Sequence, residues 1–447
     1  MAFIVKSAGL VTTGTSVADL ISVNSGAVAK STILGLAGND TIQFSQGIST
    51  ATSLLVDAAG DKDIITFAEG DLSSSTIKGG AGGDRISTNL GSINASTLNA
   101  GDGNDTVQIT GGAANIGVSF SASTLTLGAG ADSLVMSGAS LSKSTIGAGA
   151  GADTIRLDLT LASASTIYGG GGADNITVSA TTGAGLLING DSTADGGGAD
   201  TITFEGTLSS SSINAKGGKD VIDVDAVGGT AAKVLGNAGA DAITISGGVA
   251  GSANLIGGGS GNDTITLSGQ IVGTHTVQGG GGKDLVTVAG FGTGAQVFGG
   301  AGADTINVSG AGQVAFGALS DSTLTNLDIA DAQGIAGTGL NFSISAVSTT
   351  TLEAGAIGGA GFASGTTILT GYIGSGAFAT AGGLTARAAI VDSQLTRAGE
   401  TVVFEAGNTN YLFIAGGSAG TADDLVVSIG TGASVDLAFG SASVSLS

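Results

Sequence analysis

Aliphatic residues recur along most of this chain in two phases of a period close to 21 residues. The first phase is Ile42, Ile65, Ile86, Val107, Leu134, Ile155, Ile176, Ile202, Ile222, Ile243, Ile265, Val286 and Ile306. Two residues after each stands another apolar side chain, from Phe44 and Phe67 through Val308, with Thr88 the exception. Such alternation predicts a half-buried strand. The second phase lies nine residues earlier, at Ile33, Val56, Ile77, Leu98, Leu125, Ile146, Ile167, Ile213, Val234, Ile256, Val277 and Val297. Ile188 joins it once an insertion is placed within 191–197. Pieces such as Ser75-Thr76-Ile77 supply the β-branched residues that strands favour. Each period reads as strand, glycine turn, strand and a more variable arm, and no helix of consequence is expected in 31–309.

A unit of this length cannot bury its own apolar face, so neighbours must stack and equivalent residues must form columns. Between the two apolar phases one such column is acidic: Asp40, Asp63, Asp84, Asp105, Asp132, Asp153, Asp174, Asp200, Asp220, Asp241, Asp263, Asp284 and Asp304. The expected fold is all-β, a parallel β-solenoid (β-roll or β-helix) of ~13 coils of ~21 residues. Residues 1–30 are expected to cap it and 31–309 to form it. Residues 310–447 lose the period but keep alternating runs at Leu340–Ile344, Thr366–Ile373, Glu400–Ala406, Tyr411–Ala415, Asp423–Ile429 and Val435–Phe439. They are expected to form a β-sandwich-like C-terminal domain.

Composition narrows the class. Of 447 residues, 84 are glycine and none is proline, tryptophan or cysteine. Glycine without a period of three excludes collagen, and 42% apolar residues argue against disorder. The absence of cysteine removes disulfides and thiolate metal sites. A net charge of −22 disfavours nucleic acid and favours cations. No apolar window is long enough for a transmembrane helix, and Met1–Val23 lacks the basic and apolar regions of a cleaved signal peptide.

The turn before each aspartate is where chemistry is expected. In Gly79-Gly80-Ala81-Gly82-Gly83-Asp84 glycines stand five, four and two places before the acid, and the same holds for the turns ending at Asp174, Asp263, Asp284 and Asp304. With the following aliphatic residue this is the nonapeptide Gly-Gly-x-Gly-x-Asp-x-(apolar)-x. The chain here resembles the RTX family of calcium-binding parallel β-rolls. The resemblance implies Ca2+ between successive coils, with the thirteen aspartates as metal ligands. Two departures stand out. One turn per coil carries the motif where the family repeats it back to back, and the first glycine is alanine before Asp105, Asp153 and Asp220. The alternative is a purely structural turn in which Asp accepts a local backbone hydrogen bond. On exposed turns, neighbouring carboxylates ~5 Å apart would repel by under ~1 kcal/mol.

Near the end, Asn410-Tyr411-Leu412-Phe413-Ile414-Ala415-Gly416-Gly417 and Gly420–Val427 are similar to C-terminal segments of RTX surface-layer and other type I-secreted proteins. That similarity implies export to the cell surface without a cleaved N-terminal signal.

No active site is expected. His275, the single histidine, falls in the variable arm and is expected to be exposed. Asp61/Asp63 and Asp223/Asp225 read as solvated faces, Arg156 and Asp158 as a surface ion pair, and Gly169–Gly172 lacks the Lys-Ser/Thr of a phosphate loop. The expected function is that of a non-enzymatic extracellular structural protein. Calcium would stiffen its solenoid, and it would self-assemble into a homopolymeric surface layer, sheath or filament, with a cell-surface polysaccharide as a further expected partner. The alternatives are an adhesin or phage virion appendage, and the calcium-binding module of a secreted polysaccharide-modifying enzyme.

Overall fold

The computed structural model describes residues 2–310 apart from 6–8, 25–26, 46–47, 112–117, 181–182, 193–196 and 293. Beyond 310 it describes 313–316, 328–331, 340–344, 353–354, 383–393, 400–406, 409–416, 421, 424–429, 437–439 and 443–446. The strand expected at Thr366–Ile373 lies outside the described residues. The fold is an all-β parallel β-solenoid of about 13 turns, about 21 residues per turn, with a small antiparallel sheet towards the C-terminus. The chain divides into two compact units, Met1–Ala226 and Val227–Ser447.

In the first unit, strands preceding the glycine turn stack in register, so Ile33, Val56, Ile77, Leu98, Leu125, Ile146, Ile167, Ile188 and Ile213 form a single column. Strands after the turn do the same with Ile21, Ile42, Ile65, Ile86, Val107, Leu134, Ile155, Ile176 and Ile202. These side chains are buried. Each contributes about 1.5–3 kcal/mol of apolar burial, available only once a neighbouring coil covers it. The pairing of Ile188 with Ile167 and Ile213 places the insertion where the spacing had put it. Residues 2–29, expected as a cap, carry the same parallel registers: Ala2–Val5 pairs with Leu20–Val23, and Val11–Thr13 with Thr32–Leu34.

A second corner precedes the first strand. There Ser74, Ala95, Ala122, Lys143, Ala164 and Ser210 all adopt φ near +50°. That conformation costs a non-glycine residue roughly 1–2 kcal/mol. The amides of Ser74, Ala95 and Ala122 each donate to a carbonyl of the next coil, which helps hold the bend.

In the second unit Val234, Ile256, Val277, Val297 and Val314 form one column, and Ile243, Ile265, Val286 and Ile306 the other. Parallel pairing continues past the periodic region, through Gln313–Phe316 to Leu340–Ile344 and from Thr305–Asn307 to Ile329–Asp331. Among the described residues of the C-terminal region, Glu400–Ala406, Thr409–Ile414 and Leu425–Ser428 form a small antiparallel sheet, and Leu340–Ile344, Ser443–Leu446 and Leu437–Phe439 also pair antiparallel. A helix, Leu384–Asp392, buries Ala388 and Val391 in a cluster with Phe404, Phe413 and Val426. The helix thus covers one apolar face of that sheet.

Candidate cation column

Within each unit the predicted aspartates stand in line. In the first, the amide of each column residue donates to Oδ1 of its counterpart one coil later: Asp40 to Asp63 at 2.7 Å, Asp63 to Asp84 at 2.8 Å, and so on through Asp105, Asp132, Asp153, Asp174 and Asp200 to Asp220. In the second, Asp241, Asp263, Asp284 and Asp304 repeat the pattern at 2.8 Å. The backbone bond is therefore made between coils, not locally as in an Asx turn. The column also reaches Asp19, whose amide donates to Asp40 Oδ1. The sequence reading missed it because Thr15-Ser16-Val17-Ala18 replaces the glycine phrase, although the 21-residue spacing to Asp40 was available.

The expectation of exposed turns is overturned. All thirteen carboxylates are at most 3% exposed, tucked inside the bend between the two apolar columns. One oxygen is used and the other is not: Oδ2 of Asp40, Asp63, Asp84, Asp105, Asp132, Asp153, Asp174, Asp200, Asp263 and Asp284 is buried with no hydrogen-bond partner. Burial pushes the carboxyls of Asp63, Asp174, Asp200 and Asp284 up to about 7 against an ordinary 3.8. The incoming amide bond opposes this shift, and neighbouring carboxylates add to it. Asp105, Asp153 and Asp220 are raised to about 6, again chiefly by burial. Asp19 shows how a coil can satisfy the second oxygen: its Oδ2 accepts the Thr15 amide at 2.5 Å and the Thr15 hydroxyl at 2.8 Å.

The three motif glycines serve different ends. Gly80 and Gly82 have φ of +120° and +138°, and a Cβ on either would strike the carbonyl of Ala59 or Asp61 in the preceding coil. Gly79 has no such φ. What it supplies is space, since a Cβ there would lie 2.5 Å from Asp84 Oδ2 and against the Ala100 carbonyl of the next coil. Gly169, Gly236, Gly258 and Gly279 hold equivalent spaces, each faced by a column Oδ2 and a carbonyl of the following coil. Gly35 and Gly190 do likewise. The first motif position therefore accepts alanine without a left-handed backbone, whereas Leu36, Ala59, Lys216 and Asn237 at the second position all adopt positive φ; Ala58, Ala100, Leu127, Ala148 and Ala215 fill the space in their coils.

A Ca2+ ion takes six to eight oxygen ligands, carboxylate and carbonyl alike. The donor set at the glycine-lined coils fits it: an unused buried carboxylate oxygen and a main-chain carbonyl facing a space that a methyl group would fill. Among the described residues no group of three or more Asp, Glu or His side chains converges on a metal-sized site. Any cation here would draw on one or two carboxylates, completed by carbonyls.

The other corner offers an internal comparison. Ser75, Ser96, Ser123, Ser144 and Ser165 are buried one per coil, and each hydroxyl accepts the amide of its counterpart in the preceding coil at 3.0–3.2 Å. Each of these five hydroxyls donates to a carbonyl two residues back at 2.8–2.9 Å. In the second unit Asn254 plays the same part, accepting the Ala232 amide and donating to the Ala250 carbonyl at 2.9 Å. Sequence reasoning missed this column, although its signal was the serine nine residues before most column aspartates.

His275 corrects an expectation. It is buried in the same column as Asn254, with Nε2 2.9 Å from the Val272 carbonyl and Nδ1 unpartnered. Asp223, Asp225, Arg156 and Asp158 are exposed, as expected for solvated faces. Asp61 is exposed on the rim while Asp63 is inside. The position after each column aspartate holds Thr41, Thr106, Thr154 and Thr201 in register with Ile64, Arg85, Ser133 and Asn175, so it forms no continuous threonine ladder.

No protein-family model matches the chain, and no curated protein matches it. Among solved structures it is similar to a hyperactive, Ca2+-dependent, β-helical antifreeze protein from an Antarctic bacterium. Identity is 21%, the match covers 75% of this chain and 85% of that one, and the TM-score is 0.43. By its own geometry the chain is a β-solenoid with an internal acidic column.

Proposed function

We propose that this protein is a non-enzymatic, extracellular structural protein whose solenoid is stabilised by Ca2+ and which assembles with copies of itself into a surface layer, sheath or filament. One observation carries the calcium part: two corners of the coil solve the same hydrogen-bonding problem with different residues. Serine or asparagine satisfies the first without charge. The second repeats aspartate, leaving a buried charged oxygen unused coil after coil. Desolvating a charge is costly unless a counter-charge is supplied. Asparagine would make the same Oδ1 bond at no such cost, so the recurrence of aspartate is explained by a cation at Oδ2.

Assembly is supported by the chain's low charge content, 11%. It is supported too by the gathering of Leu10, Val11, Val17, Leu20, Leu36 and Ile64 as exposed large apolar side chains in the early coils. No helix among the described residues is long and apolar enough to cross a membrane. The test is circular dichroism with and without a chelator, paired with negative-stain microscopy of both samples. Calcium-dependent strand signal and calcium-dependent polymers are the expected result. Strand signal and polymers that survive chelation remove calcium from the account, and rods attached to a virion would favour an appendage.

A further inference from the structure

The insertion before Asp200 places an additional carboxylate inside the turn. Asp191 pairs in register with Gly170, a position held by Gly128 and Gly149 in preceding coils. Its side chain is fully buried; Oδ2 accepts the Gly217 amide at 3.3 Å and Oδ1 has no partner. Beside it, a Cβ on Gly190 would meet Asp200 Oδ2 and lie 2.5 Å from the Ala215 carbonyl. One coil earlier, a Cβ on Gly169 would lie 2.5 Å from Asp174 Oδ2 and meet the Gly190 carbonyl. The unused oxygens of Asp174, Asp191 and Asp200 thus belong to two consecutive glycine-lined coils. Elsewhere between Asp63 and Asp220, alanine or leucine fills the space in at least one of any two neighbours.

We propose that Asp191 makes the turn between the coils of Asp174 and Asp200 the tightest divalent-cation site of the chain, a calcium site that adds a carboxylate to those of the repeating column. The donors are Asp191 Oδ1 with Asp174 Oδ2 or Asp200 Oδ2, completed by carbonyls such as those of Gly190 and Ala215. Two supporting features are electrostatic. The charge of Asp191 reaches Asp174, Asp200 and Asp220, while Lys216 is the single cation acting on Asp191. Four buried carboxylates against one ammonium leave a deficit that a divalent ion suits, and calcium affinity rises with ligand charge. The identity of the cation rests on the calcium reading of the column; the ranking of this site does not.

The test is calorimetric titration of CaCl2 into the chelator-stripped full chain, comparing wild type with Asp191→Asn, Asp191→Gly and, as a column control, Asp105→Asn. Asp191→Gly restores the residue found at this register in the preceding coils, so it decides the matter if Asp191→Asn fails to fold. One ion should bind wild type more tightly than the rest. Both Asp191 variants should weaken that step by at least about tenfold, and Asp105→Asn should leave it intact. A tight step that survives in a folded Asp191 variant overturns this proposal alone. A wild-type chain that takes up no calcium overturns the column reading as well.

Discussion

Asp284→Asn should change sign with calcium. Asp284 Oδ1 accepts the Asp263 amide at 2.8 Å, a bond that the asparagine oxygen keeps. Its Oδ2 is buried and unpartnered, and a Cβ on Gly279 would lie 2.5 Å both from it and from the Gly299 carbonyl. In the variant that oxygen becomes an NH2 that can donate to the carbonyl, and the buried charge is gone. Burial, with the charges of Asp304 and Asp263 adding to it, raises Asp284 from 3.8 to about 7, which at about 1.4 kcal/mol per unit is roughly 4 kcal/mol when ionised. The neighbours titrate with it, so a gain of about 2–4 kcal/mol is expected for the variant in chelator at pH 8. With calcium the order inverts: an ion at a hundred times its Kd stabilises the wild-type site by about 2.7 kcal/mol, and the variant forgoes this. Because a solenoid can open locally, the assay is amide hydrogen exchange over residues 263–304 with and without calcium, supported by urea melts. Loss of protection in chelator, or an equal loss in both conditions, refutes the reasoning.

Four further outcomes follow from the same geometry. Burial raises the carboxyls of Asp63, Asp105, Asp153, Asp174, Asp200, Asp220 and Asp284 from 3.8 to about 6–7 in the folded chain, so between about pH 4 and 7 the folded chain holds more protons than the unfolded one. The metal-free protein should therefore lose stability as pH rises through that window, and calcium should stabilise it more at pH 8 than at pH 5, as thermal melts will check. Ser96→Ala removes the acceptor of the Ser75 amide and should cost about 1–3 kcal/mol by denaturant unfolding, equally with and without calcium. Gly80→Ala forces φ +120° on a side chain and drives its Cβ into the Ala59 carbonyl, so loss of local exchange protection in both conditions is expected. Gly79→Ala is allowed by φ but fills the space over Asp84, so it should fold and lose one weak calcium step in titration.

Much of the fold was legible because stacking converts a period into a column. Ile77, Leu98 and Leu125 share a phase in the chain and therefore share a line in space, and even Ile188 could be placed by spacing alone. The short helix Leu384–Asp392 was not found, though Leu-Thr-Ala-Arg-Ala-Ala-Ile-Val is a glycine-free run of good helix formers. His275 was misplaced because its arm looked variable, whereas its register with Asn254 sets it inside.

The sequence by itself determined the coil, its register and the alignment of like acids, since all three follow from local alternation and a repeat length. Which way the aspartates face was decided only by the closed turn. Alternation specifies inside and outside along a strand, but at a bend the answer depends on backbone angles and on how closely the next coil approaches. Those two factors bury the carboxylates, commit one oxygen of each to the adjacent coil's amide, and leave the other beside a glycine in some coils and beside alanine or leucine in the rest. The same closure brought Asp191, outside the repeat's phase, in among them.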